Sequence, residues 1–137
     1  MASVIEPLET ALYSRLSTTA ALITELGGTA IYNQRAPQDV GNKYVTFFWA
    51  GGGDENITPH RTRSLLYSVV GIALTKAAAA AIDTDIDTAL HNQVLTVTGW
   101  NNPYIARDRD INFVENDSSG VAKYTCGGIY RILLEVS

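Results

Sequence analysis

The sequence predicts an α+β domain: an antiparallel, twisted sheet with helices on one face, in the order helix, three strands, helix, three strands. Three observations carry this expectation. Apolar residues recur at helical spacing in two separated segments. Two other segments are dense in β-branched and aromatic residues. Polar, glycine-bearing connections join neighbouring strands in hairpin fashion. With 137 residues, 46% of them hydrophobic and 18% charged, the chain can build one packed core, and residues 1–137 are read as a single domain.

The first segment places Ile5, Leu8, Leu12 and Leu16 on one helical stripe, with Glu9 and Arg15 away from it. Pro7 suits a first turn, where its missing N–H has no partner to lose. Ser17, Thr18 and Thr19 read as a stop and a re-cap. A short second helix over residues 20–26 then ends at Gly27 and Gly28. Residues 30–32 form a brief strand candidate, closed by a polar stretch containing Pro37 and Gly41. Residues 44–50 (YVTFFWA) and 64–75 (SLLYSVVGIALT) are the strongest strand signals, and residues 51–63 between them read as a long polar connection.

Helix returns over residues 76–91, which contain the alanine run 77–81 and a stripe of Ala78, Ile82, Ile86, Ala89 and Leu90. Residues 94–98 form a short strand candidate, 99–103 (GWNNP) a turn, and 104–115 a charged alternating strand. Residues 116–120 (NDSSG) have hairpin-turn composition. In the closing segment Tyr124, Cys126, Tyr130, Ile132, Leu134 and Val136 share one face, and Lys123, Thr125, Arg131 and Glu135 the other. Gly127 and Gly128 mark a bulge or a close backbone approach. Both alternate sets of the two central strands are apolar, unlike a sheet with one wet face. Either the sheet curls over itself or a neighbouring subunit covers it.

Charge and composition exclude several function classes. Ten Lys and Arg against fourteen Asp and Glu give a net charge of −4, which disfavours coating a nucleic-acid duplex. One cysteine excludes an internal disulfide framework and a Cys-rich zinc site. No apolar run reaches the roughly 20 residues of a membrane span. Glu6, Pro7 and Glu9 stand where a signal peptide would be basic and then apolar, so a soluble, cytosol-made protein is expected.

Searches for chemistry return weak matches. Gly51, Gly52 and Gly53 are followed by no Gly-Lys-Ser/Thr, so a nucleotide loop is not expected. Asp83, Asp85 and Asp87 imitate the start of a calcium loop, yet its glycine position is Thr88 and its closing glutamate position is Val94; a solvated helix face fits better. His60 and His91 lack ligand-spaced companions, and His91 suits a helix C-terminus as an imidazolium. Cys126 reads as a small buried hydrophobe unless the fold brings a histidine to it. No catalytic set, metal or cofactor is expected. The sequence Arg107-Asp108-Arg109-Asp110 would, in a regular strand, put a basic stripe on one face and an acidic stripe on the other. That is either a charge-protected edge strand or an electrostatic docking surface between subunits. Arg61 and Arg63, ending the long connection, face the same alternatives.

The order of these elements is familiar. Residues 11–39 (ALYSRLSTTAALITELGGTAIYNQRAPQD) resemble the start of the tail completion, or tail terminator, proteins of long-tailed bacteriophages. The features that carry the likeness are Leu12, Leu16, Leu22, Leu26, Gly27, Ile31-Tyr32 and Ala36-Pro37-Gln38. The aromatic strand, polar loop, apolar strand, Ala-rich helix and closing Tyr-Arg strand keep the family order, whereas residues 94–120 match nothing specific in it. The resemblance implies a structural virion protein in the tail-neck region, without enzymatic activity. It implies a ring of identical subunits, usually six, that caps the head-proximal end of the tail tube, ends polymerisation and offers a docking surface to the head. The implied partners are copies of itself, the tail tube protein and a connector or neck protein, with DNA only passing through and no membrane. Arg61, Arg63, Arg107, Asp108, Arg109 and Asp110 are the candidate subunit or tube contacts. A neck component on the head side is an alternative within the virion; a small ligand-binding or enzymatic domain using Cys126 or His60 is the alternative outside it.

Overall fold

A computed structural model describes residues 3–37, 41–54 and 62–136. Its elements are α1 (Ile5–Ser17), α2 (Ala20–Leu26), β1 (Ile31–Asn33), β2 (Tyr44–Asp54), β3 (Thr62–Ala73), α3 (Lys76–Leu90), β4 (Trp100–Asn116) and β5 (Ala122–Val136). The strands form one sheet in the order β1-β2-β3-β5-β4, and the α+β class expected from the sequence is what the chain adopts.

The helices line one face. Leu8, Leu12 and Leu16 of α1, Leu22 of α2 and Ile82, Ile86 and Leu90 of α3 are fully buried. They share a core with Phe47, Leu65, Tyr67, Val69, Tyr130, Ile132 and Leu134, and each such side chain contributes about 1.5–3 kcal/mol by leaving water. Gly71 sets how closely α3 approaches: a Cβ there would lie 2.7 Å from Ile82 Cβ. Thr75 caps α3 by accepting the Ala78 N–H at 3.2 Å.

The hydroxyls between α1 and α2 work backwards from the expected re-cap. Thr18 Oγ1 donates to Ser14 O at 2.7 Å and Thr19 Oγ1 to Arg15 O at 2.8 Å, so they bond back to carbonyls in the last turn of α1 and make no N-cap for α2. Gly27, at φ 75°, ends α2 as its sequence implies.

The sheet departs from expectation in three places. First, β1 runs parallel to β2, pairing Ile31 with Val45 and Asn33 with Phe47, so the sheet is mixed; three residues are too few for β1 to reveal its direction by pattern. Second, β2 continues through Gly51, Gly52 and Gly53 to Asp54, opposite Arg63, across a register shift between Trp49 and Gly51. Gly51 and Gly52, at φ 145° and 113°, supply backbone angles closed to other residues. Much of the expected connection is therefore strand, and Arg63 belongs to β3. Third, there is one strand fewer after α3. Leu95 and Val97 are buried, but their segment is a loop whose partners are side chains: Asn102 Oδ1 accepts the Leu95 N–H at 2.8 Å, and Arg15 Nη2 donates to Val94 O at 2.6 Å. Val97 forms an isolated bridge with Trp100 and joins no named strand. The alternation there reflects a plug on the core, not a ladder.

The β4–β5 hairpin closes as its composition implies. Asp117 Oδ1 accepts the N–H groups of Ser119 and Val121 at 2.9 and 3.0 Å, bonds that hold its carboxyl below the usual range.

Candidate interaction surface

The four charged residues at 107–110 lie beside a bulge. β4 pairs Arg107 with Tyr130 and Arg109 with Ile129, leaving Asp108 as the extra residue. The extra residue reverses the parity of everything after it, so the two expected stripes do not form. Arg107 and Asp110 point to the helix side, whereas Arg109 follows Ile129 onto the opposite, open side.

Arg107 is consumed inside the chain. Its Nη1 and Nη2 donate to the two carboxylate oxygens of Asp83 at 2.7 and 3.1 Å, and its Nε donates to Asp110 at 2.8 Å. Nη2 also reaches Gly127 O at 2.6 Å, and the guanidinium lies 5.8 Å from the Tyr130 ring centre. Tyr130 donates its hydroxyl to Asp87 at 3.0 Å, and His91 Nδ1 accepts the Arg107 backbone N–H at 3.1 Å. A bidentate pair of this kind fixes orientation as well as distance. The Asp83 hydrogen bonds push the Arg107 pKa up further. The side chain is only 18% exposed, and α3 is thereby clamped to β4 and β5. Asp83 therefore faces Arg107 more than solvent, because the bulge turns the cation towards it, while Asp87 keeps 40% of its side chain exposed. His91 stands at the C-terminal end of α3, its backbone N–H donating to Asp87 O at 2.8 Å. Gly128 makes the clamp possible: a Cβ there would lie 2.7 Å from Arg107 Nε. The paired glycines of β5 thus mark a close approach, as their sequence implies.

The open face has a polar half and an apolar half. At the polar half Arg131 donates to Ser64 Oγ at 2.9 Å and lies 3.6 Å from Asp108, which is 3.5 Å from Arg109. At the other half the sheet forms a trough of ≈ 480 Å³ whose lining includes Phe48, Val70, Ile72, Ile111 and Phe113, with Glu115, Asp117 and Lys123 among its polar members. Its walls come from both sheet edges, Ala36 beyond β1 and the far end of β4, so the sheet curls. Curling shields the centre, leaving Val70 and Ile72 only 5% and 8% exposed, but not the rim, where Phe113 is 45% exposed. Self-covering therefore explains the middle strands and leaves an apolar rim in contact with water.

Of the remaining sequence candidates, Arg109 is 69% exposed along its side chain, Asp110 is exposed though bonded to Arg107, and Arg63 is half-buried in β3. Arg61 and His60 lie outside the described residues. Cys126 is buried, with Asn112 Oδ1 3.8 Å from its sulfur, and burial pushes its thiol up, away from the thiolate that nucleophilic chemistry needs. Among the described residues no cluster of three His, Cys, Asp or Glu could hold a metal, and no described helix is long and apolar enough to cross a membrane.

No protein-family profile matches the chain, and no curated protein matches it in sequence. Solved structures do match. A chain from the virion of a native gene transfer agent particle superposes with a TM-score of 0.81 at 19% identity, over 98% of this chain and 99% of its own. A second structure gives a TM-score of 0.60 at 15% identity, over 99% and 97% of the two chains. At these identities the likeness is one of fold, and it spans nearly the whole length of both chains in each pair. The bulge was the one feature of the site with no residue signature: alternation in sequence cannot reveal a skipped position.

Proposed function

We propose that this chain is a structural virion protein that forms a ring, of six copies by the family resemblance, on the head-proximal end of a tail tube. The ring ends tube growth and presents a surface for the head. The observation that carries this reading is the full-length match to a virion chain of a gene transfer agent particle, joined to the tail-terminator-like residues 11–39. The physical features agree with it. The groups best placed for chemistry are committed to packing: Arg107 to its clamp and Cys126 to the interior. What the surface offers is shape, an apolar rim and the exposed charges of Arg109 and Asp110, which suit contact with protein subunits. Net negative charge lets DNA pass a ring without adhering.

Deleting the gene tests the proposal. Overlong tubes without heads are expected. Tails of normal length that fail to attach would instead assign the chain to the neck, and unaltered particles would overturn a virion role.

A further inference from the structure

β4 is the outer strand of the sheet, and among the described residues its far end beyond the bulge, residues 109–116, has no strand paired along its outer edge. Natural edges are usually shielded by proline, bulges or inward charges. The first half of β4 has such devices, in Pro103 and the register shifts at 101/104 and 107/109. The second half has neither proline nor bulge; its only shields are the charges of Arg109, Asp110 and Glu115, and Phe113 and Val114 there are exposed.

This segment is complementary to itself. Arg109, Ile111, Phe113 and Glu115 share the open face, since their β5 partners are Ile129, Gly127, Thr125 and Lys123. An antiparallel copy centred on Asn112 sets Arg109 opposite Glu115 twice, and Ile111 opposite Phe113 twice. Opposite charges then lie at both ends and apolar pairs in the middle, the arrangement that stabilises neighbouring strands.

The geometry points to a two-fold contact between copies of this chain, made by antiparallel pairing of residues 109–115 of β4 into a ten-stranded sheet. The contact is isologous and closes at two copies. It uses neither the β1 edge nor the helices, so it does not build a ring; it draws on the Arg109 charge and apolar rim of the proposed function, and its test is separate from the deletion that tests that function.

Sedimentation equilibrium of the full chain tests it, with Arg109→Glu, Glu115→Arg and the double exchange. The expected mass is twice 14.8 kDa. Each single reversal sets like charges opposite each other at two places and should weaken the dimer by roughly tenfold or more. The double exchange restores opposite charges and should recover most of the affinity. Both side chains are exposed, and unchanged circular dichroism and melting confirm that the fold is intact. A monomeric wild-type chain, or an oligomer indifferent to the reversals, would overturn the proposal.

Discussion

The two faces of this one sheet are kept dry by different means. On the helix side, Leu12, Ile82, Tyr67 and Tyr130 are fully covered, α3 rests on the bare backbone of Gly71, and Arg107 ties helix to strand through Asp83. On the open side the curl of the sheet protects Val70 and Ile72, while Phe48 and Phe113 meet water. Stability therefore resides on the first face, and the capacity to join other proteins on the second. The same alternating apolar pattern encodes both, because a strand pattern records what a side chain prefers, not what covers it.

Substitutions should separate the faces. The largest effect is expected from Gly71→Val, which forces a side chain into Ile82 and should destabilise the fold by about 3 kcal/mol, read as a lower denaturation midpoint. A mild loss there would mean that α3 rests less tightly on the sheet. Arg107→Leu should cost about 2 kcal/mol, below the range for fully buried ion pairs because Asp83 and Asp87 retain some access to water. Loss of cooperativity confined to α3 and β4 in hydrogen exchange would sharpen the assignment of Arg107 as the clamp.

Alkaline pH probes the same face. Burial, with Glu9 beside one and Asp87 beside the other, raises the phenols of Tyr67 and Tyr130 above their usual value of about 10. The folded chain thus keeps protons that the unfolded chain releases, so this stability is fully present below pH of about 10 and falls as pH rises further. Tyr67→Phe should flatten that decline, measured by melting temperature against pH. A slope unchanged in this variant would remove Tyr67 from the account. The smallest effect on stability belongs to the open face, where Phe113→Ser should change unfolding by about 0.5 kcal/mol while weakening association between chains. A stability loss as large as that of the helix-face variants would erase the distinction.

Much of this architecture was legible in the sequence. Leu8, Leu12 and Leu16 lie on the buried stripe their spacing describes, although Ile5 at its start is exposed. Gly27 ends α2, Asp117 folds the hairpin, and β5 presents Tyr130, Ile132 and Leu134 inward. What escaped were features decided by tertiary partners. Leu95 and Val97 alternate like a strand, but Asn102 takes the place of a ladder. The glycines at 51 to 53 look like loop and are strand, because their open backbone angles fit a bulged pair. The skipped residue at Asp108 turned two expected charge stripes into one internal clamp and one exposed arginine. Asp83 and Asp87 then face that clamp from a helix whose sequence resembles a solvated surface.

Both faces serve the central proposal, that the chain acts by shape to finish a tube. Growing tail tubes from the tube protein of the same particle, adding this chain, and imaging them tests it directly. The expected result is a collar on one end of each tube and lengths that stop increasing. Tubes that keep lengthening with bare ends would contradict it.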